Sequence, residues 1–376
     1  MIAAITYPFL QEYWWLIISL LGALLVFLMF VQGGQSLIYT IGKTETERTM
    51  LVNTLGRKWE FTFTTLVTFG GAFFASFPLF YATSFGGAYW VWIAILFSFI
   101  LQAVSYEYRT KPANLLGSKT YEIFLIINGL MGTILIGTAV GTFFNGAQFS
   151  LNEYNQVTWQ TSWRGLEAVL NLHNVALGLS VFFLARVLAL LYFLNSIDDE
   201  AIVARSKKQI WYNALPFLVF FLYFIGRLLT MKGYSYNPDS MVVSVEKFKY
   251  FHNLIEMPAV LVLFLAGVVL VLWGICSDLF RKAGRGIWFS GLGTVMAVFS
   301  LFLLAGYNNT CYYPSAFEMQ SSLNIRNSSS SEFTLRVMSY VSLLIPFVVA
   351  YIWYAWKSIN NKKIDQSEME NESHTY

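Results

Sequence analysis

The chain has 376 residues, 56% of them hydrophobic and only 12% charged, with 24 Lys and Arg against 21 Asp and Glu for a net charge of +3. That charged fraction is about half of what an ordinary soluble domain carries, which excludes a soluble globular protein. No nucleic-acid partner is expected from so even a charge balance.

Nine apolar stretches follow one another along the chain, at 13–38, 61–83, 88–108, 121–148, 166–195, 210–230, 254–276, 286–307 and 334–356. Each is about 20 residues long, the length a helix needs to cross a hydrocarbon core about 30 Å thick. Backbone polar groups in lipid must be satisfied internally, so only helices or a closed barrel span it. The runs are continuous rather than alternating, which selects helices. The expectation is an all-α integral membrane protein with nine spans. Residues 1–359 would form a single polytopic domain and 360–376 a solvated cytoplasmic tail.

Met1–Gln11 lacks a basic leader and a small-residue cleavage pattern, so the first span reads as a retained helix. Short loops rich in Lys and Arg stay cytoplasmic. Sixteen of the basic residues fall in loops on one side, five on the other and three inside spans. This predicts an outward N-terminus and a cytoplasmic C-terminus. Cys276 and Cys311 fall at opposite membrane surfaces, too far apart for a disulfide. The largest polar insertions, near Met231–Phe251 and Asn308–Phe333, read as connectors. Asn308–Thr310 and Asn327–Ser329 match a glycosylation triplet that is common by chance.

Polar side chains inside hydrocarbon are costly and mark function or specific packing. Gln32 and Gln35 end the first span, Trp59 and Glu60 start the second, and Glu107 and Arg109 end the third, all on the basic side. If those helices pack together, the six surround one cytoplasmic mouth. A partly buried carboxylate beside a cation suits a proton relay. Interfacial anchoring and hydrogen bonding between helices are the competing reading. Arg186 lies deep in the fifth span and needs a partner, with a structural ion pair as its expected role. Of the three histidines, His173, His252 and His374, no two share a span, and two cysteines make no metal cluster, so this chain is expected to bind neither haem nor metal. Gly33-Gly34, Gly70-Gly71 and Gly86-Gly87 read as close-packing or turn positions, and the aromatics, 18% of the chain, as interfacial belts that could also line a quinone or lipid groove.

Four elements occur in order between Gln32 and Lys111: Gly42-Lys43-Thr44-Glu45-Thr46-Glu47-Arg48; Val52-Asn53-Thr54-Leu55-Gly56 with Trp59-Glu60; Gly70-Gly71-Ala72-Phe73-Phe74-Ala75-Ser76-Phe77-Pro78; and Tyr106-Glu107-Tyr108-Arg109-Thr110-Lys111. In these the chain resembles subunit II of the cytochrome bd-type quinol oxidases, as a divergent member. The later half matches by layout, with local echoes at Thr334–Met338 and Pro346. The resemblance implies nine helices arranged as two four-helix bundles plus one peripheral helix. It also implies a haem-free accessory subunit that stabilises a haem-bearing subunit I. Two b-type haems and haem d, or a third b-type haem, would then sit in subunit I of a bacterial inner-membrane complex that oxidises quinol and reduces dioxygen to water. Some family members add a proton-entry path or a structural quinone, and a small accessory subunit and lipids are further partners.

One departure matters. Where the family carries an Asp-Gly-Phe-Asp step at the end of the first helix, this chain has Gln32-Gly33-Gly34-Gln35. Any proton route must then run through Glu60 or through amides and water. A secondary transporter using Glu60, Arg109 and Arg186 is the alternative, although the paired broken helices of that class are not evident.

Overall fold

A computed structural model describes residues 6–111, 114–281, 284–360 and 363–364. It is almost wholly helical. The first span is α1 (Tyr7–Leu28), continued by α2 (Phe30–Gln35) after an interruption at Met29. A short α3 (Ile38–Ile41) leads to α4 (Glu45–Gly56), whose start is fixed by a capping box: Thr44 accepts from the Glu47 amide, and Glu47 accepts from the Thr44 amide. Next come α5 (Trp59–Ser76), α6 (Pro78–Tyr81), α7 (Tyr89–Tyr108) and α8 (Ser118–Asn145). A hairpin of β1 (Phe149–Leu151) and β2 (Val157–Trp159), with Phe149 opposite Trp159, precedes α9 (Leu172–Ser196) and α10 (Glu200–Thr230). A second antiparallel hairpin, β3 (Lys232–Tyr236) with β4 (Val243–Lys247), is followed by α11 (Lys249–Glu256), α12 (Pro258–Arg281) and α13 (Gly286–Gly306). The chain closes with α14 (Ile325–Ser328), α15 (Glu332–Ser342) and α16 (Ile345–Ile359).

Among the described residues, seven helices are long and apolar enough to cross a membrane, or eight if α15 and α16, bent by 43° at their junction, form one span. The expected count of nine is therefore not reached. The shortfall is α5, where Glu60 and four threonines dilute an 18-residue helix. Pro346 stands at the start of α16, where a missing N–H and a ring clash with the preceding turn break a helix.

Helix α9 is the hub, packing on α10, α8, α2 and α13. Its contact with α2 depends on Gly33, where a Cβ would stand 2.1 Å from the Ala185 carbonyl oxygen. Gly129 does the same between α8 and α2, where a Cβ would lie 2.5 Å from the Gln32 carbonyl oxygen. Gly71, expected at a close contact, faces open space instead. Both cysteines are free, Cys276 exposed and Cys311 buried. Of the expected tail, Ile364 is buried and bridges Ile197, while 361–362 and 365–376, which include His374, lie outside the described residues.

Candidate functional site

Helix α7 runs toward the Lys/Arg-rich end of the molecule and presents Ser98, Gln102, Tyr106 and Arg109 on one face, at the spacing of successive helical turns. All four are buried. Each meets a polar partner from a different turn of α8 or α2. Asn128 Nδ2 donates to Ser98 Oγ at 3.3 Å, Gln32 Nε2 to Gln102 Oε1 at 3.2 Å, and Gln35 Nε2 to the Tyr106 hydroxyl at 3.1 Å. At the basic end, Arg109 donates to Glu122 Oε1 at 2.8 Å. Arg48 closes the set from α4, its Nε 3.2 Å from Glu122 Oε2. The guanidinium of Arg109 also donates to Thr49 at 3.1 Å.

From Ser98 to Arg109 the ladder extends about 16 Å at 1.5 Å per residue, roughly half the hydrocarbon thickness. Its rungs are not saturated. Gln32 Oε1, Gln35 Oε1, Gln102 Nε2 and Asn128 Oδ1 are buried without a hydrogen-bond partner. Buried polar atoms in that state are ordinarily satisfied by ordered water. Near the mouth, a cleft of about 370 Å³ is lined by Glu45, Thr49, Arg109, Asn114 and Ser118 among others. The arrangement can hold a chain of water molecules from a charged entrance to the middle of the bundle.

The structure brings together four of the six residues expected at the mouth. Gln32, Gln35 and Arg109 are rungs, and Trp59 stacks on Tyr106 with ring centroids 5.6 Å apart. Glu60 and Glu107 require correction. Glu60 is exposed on α5 and makes no hydrogen bond or ion pair among the described residues. Glu107 is exposed and pairs with Lys111 at 3.3 Å on the surface of the helix. Span position gives depth in the membrane but not azimuth about the helix, and both acids point away from the bundle.

The carboxylate that does occupy the site, Glu122, was missed. It lies one residue inside the expected fourth span, the same signal that drew attention to Glu60. Gln102, Tyr106 and Arg109, at steps of four and three, also share a recognisable helical face.

Arg186 requires a correction as well. No carboxylate pairs with it among the described residues, because its surroundings on α9 are apolar, and its guanidinium lies 5.2 Å over the Phe182 ring. His173 stacks on Phe224 and His252 Nδ1 lies 2.7 Å from Glu246 Oε1, so the two rings serve different contacts. Among the described residues, no group of three His, Cys, Asp or Glu could hold a metal ion.

Comparison with known proteins gives a consistent result. Residues 10–359 match the family model described as cytochrome bd terminal oxidase subunit II. The chain is 29% identical to the "probable cytochrome oxidase subunit 2" of Haemophilus influenzae, with 94% of each chain covered. It is 28% identical to the "cytochrome bd-I ubiquinol oxidase subunit 2" of Escherichia coli K12, with 99% of each covered. The "cytochrome bd ubiquinol oxidase subunit 2" of Bacillus subtilis is 24% identical, over 92% of this chain and 94% of that one. In fold, the chain resembles the bd oxidase structure from Geobacillus thermodenitrificans, with a TM-score of 0.58 at 11% identity, covering 94% of this chain and 98% of that chain. The ordered motifs, the helical membrane fold and the family match over nearly the whole length lead to one conclusion: this chain belongs to the cytochrome bd terminal oxidase subunit II family.

Proposed function

We propose that the chain is the haem-free accessory subunit of a quinol:dioxygen oxidoreductase in the bacterial inner membrane, that it stabilises the haem-bearing subunit I, and that it admits protons from the cytoplasm. In this reading the Lys/Arg-rich end faces the cytoplasm, the N-terminus faces outward, and the helices group as two four-helix bundles plus one peripheral helix, with α5 counted among nine spans. The observation that carries the proton role is the ladder itself. A buried carboxylate between two arginines stands at the entrance, and amides and hydroxyls continue inward on α7, α2 and α8. Such a chain conducts protons through water held by the free amide atoms, so no second carboxylate is needed at Gln32 or Gln35.

A cavity of about 460 Å³ at the opposite end is walled by Trp92, Trp159 and Tyr313 and edged by Asn145 and Asn174. Its aromatic faces and amides fit the ring and carbonyl oxygens of a structural quinone.

The test of the proton role is Gln102→Leu in the purified complex. It removes the middle rung and leaves the Glu122 ion pairs in place. Expected is a several-fold loss of quinol-dependent oxygen uptake and of proton uptake from the basic side, with haem content and subunit ratio unchanged. Undiminished turnover in a correctly assembled variant would overturn the route.

A further inference from the structure

At the same basic end, where α4 gives way to α5, a second polar cluster takes no part in the ladder. A cavity of about 30 Å³ has a polar lining of Arg57, Tyr192, Asn195, Ser196, Asn360 and Lys363. Two of these are cations, and no carboxylate lines it among the described residues. Its wall is fixed by backbone pairing, since the Ile364 amide donates to the Ser196 carbonyl at 3.0 Å and the Asp198 amide to the Ile364 carbonyl at 2.9 Å.

Three nitrogen donors here lack a hydrogen-bond partner: Asn360 Nδ2, the Trp356 indole nitrogen one helical turn before it, and the ammonium of Lys58. Lys58 has no exposed surface, and its Nζ lies 4.3 Å over the Trp356 ring. A cation–π contact returns at most about 2 kcal/mol, whereas burying an ammonium costs several kcal/mol. The cluster is therefore short of negative charge and of acceptors together. A water needs roughly 10–15 Å³ of such space, so the cavity admits two oxygen atoms and excludes a sugar or a base.

We propose that this cavity binds a phosphate group, either the phosphodiester of a lipid headgroup at that membrane surface or free phosphate. Two of its oxygens enter and accept from Asn360, Arg57 and Lys363 hold it at the rim, and its charge compensates Lys58 beneath. The proposal is independent of the oxidase reading and of the proton route.

It is tested on the intact complex, delipidated in detergent and titrated at constant ionic strength with phosphatidylglycerol, with inorganic phosphate, or with a phosphate-free galactolipid. The thermal midpoint is expected to rise by several degrees with phosphatidylglycerol and not with galactolipid. The rise should vanish in the Asn360→Leu/Lys363→Gln double variant. A rise with inorganic phosphate as well identifies free phosphate as sufficient, and a rise with phosphatidylglycerol alone identifies the headgroup; either supports the site. Trp356→Phe, which keeps the ring and deletes one donor, should weaken the apparent affinity at least threefold. No rise with either phosphate source, an equal rise with galactolipid, or an unaltered affinity in both variants would overturn the proposal.

Discussion

Glu122 is the one acid in the ladder, only 1% exposed and held by two guanidinium groups. Its substitution by Gln would leave Arg109, itself 3% exposed, without its carboxylate. Removing one partner of a buried pair costs about 3–5 kcal/mol. Glu122→Gln is expected to lower the thermal midpoint and the yield of assembled complex. Glu60→Gln, on the exposed face of α5, is expected to change stability by no more than about 0.5 kcal/mol. Parallel unfolding curves of the two variants check the contrast, and equal losses would show that the buried pair contributes nothing special. Sequence reading did find the neighbourhood of this site. Four of its six residues converge, and the two failures are both acids at helix ends whose side-chain direction no span boundary specifies.

At the scale of elements, α4 is an amphipathic connector that hydropathy alone passes over. Glu47 does two jobs there. Its carboxylate accepts from the Lys43 amide at 2.6 Å and the Thr44 amide at 3.1 Å, and it pairs with Arg205 of α10 at 2.6 Å. Burial raises the Glu47 carboxyl, but the hydrogen bond from Arg205 and those from the two amides outweigh it, leaving the group below its ordinary value of 4.5. A carboxyl depressed in the folded state stabilises above its unfolded value, and that contribution is lost as pH falls through the folded one. Acidification below about pH 4.5 is therefore expected to free the amides of α4 before those of α9, as hydrogen exchange would show. In Glu47→Gln the α4 amides should exchange faster already at pH 7, and the acid-induced step should disappear. Persistence of that step would assign it to another group.

For the whole molecule, the long apolar helices are unevenly covered. Helix α9 is largely buried, while α16 buries no residue in this chain and exposes Phe347, Tyr351 and Trp353. Lipid or another subunit covers such surfaces in a membrane, so their exposure here needs no special device. The polar interior ends midway through the bundle and meets no cluster of metal ligands among the described residues. The chain purified without any partner is thus expected to show no quinol-dependent oxygen uptake and no haem absorption. Either activity in the isolated chain would contradict the accessory role.

The sequence by itself determined that this is a helical membrane protein, where most of its spans lie, and which family its first third resembles. These follow from hydrocarbon thickness and from local order along the chain, both one-dimensional quantities. Only the tertiary structure decided that Glu122 rather than Glu60 sits between the arginines, that Gln32 faces Gln102, and that Arg186 has a ring and no carboxylate beside it. Which faces of two helices meet depends on rotation about their axes and on contacts such as Gly33 against Ala185, which pair residues more than a hundred positions apart. No property of either segment alone contains that information.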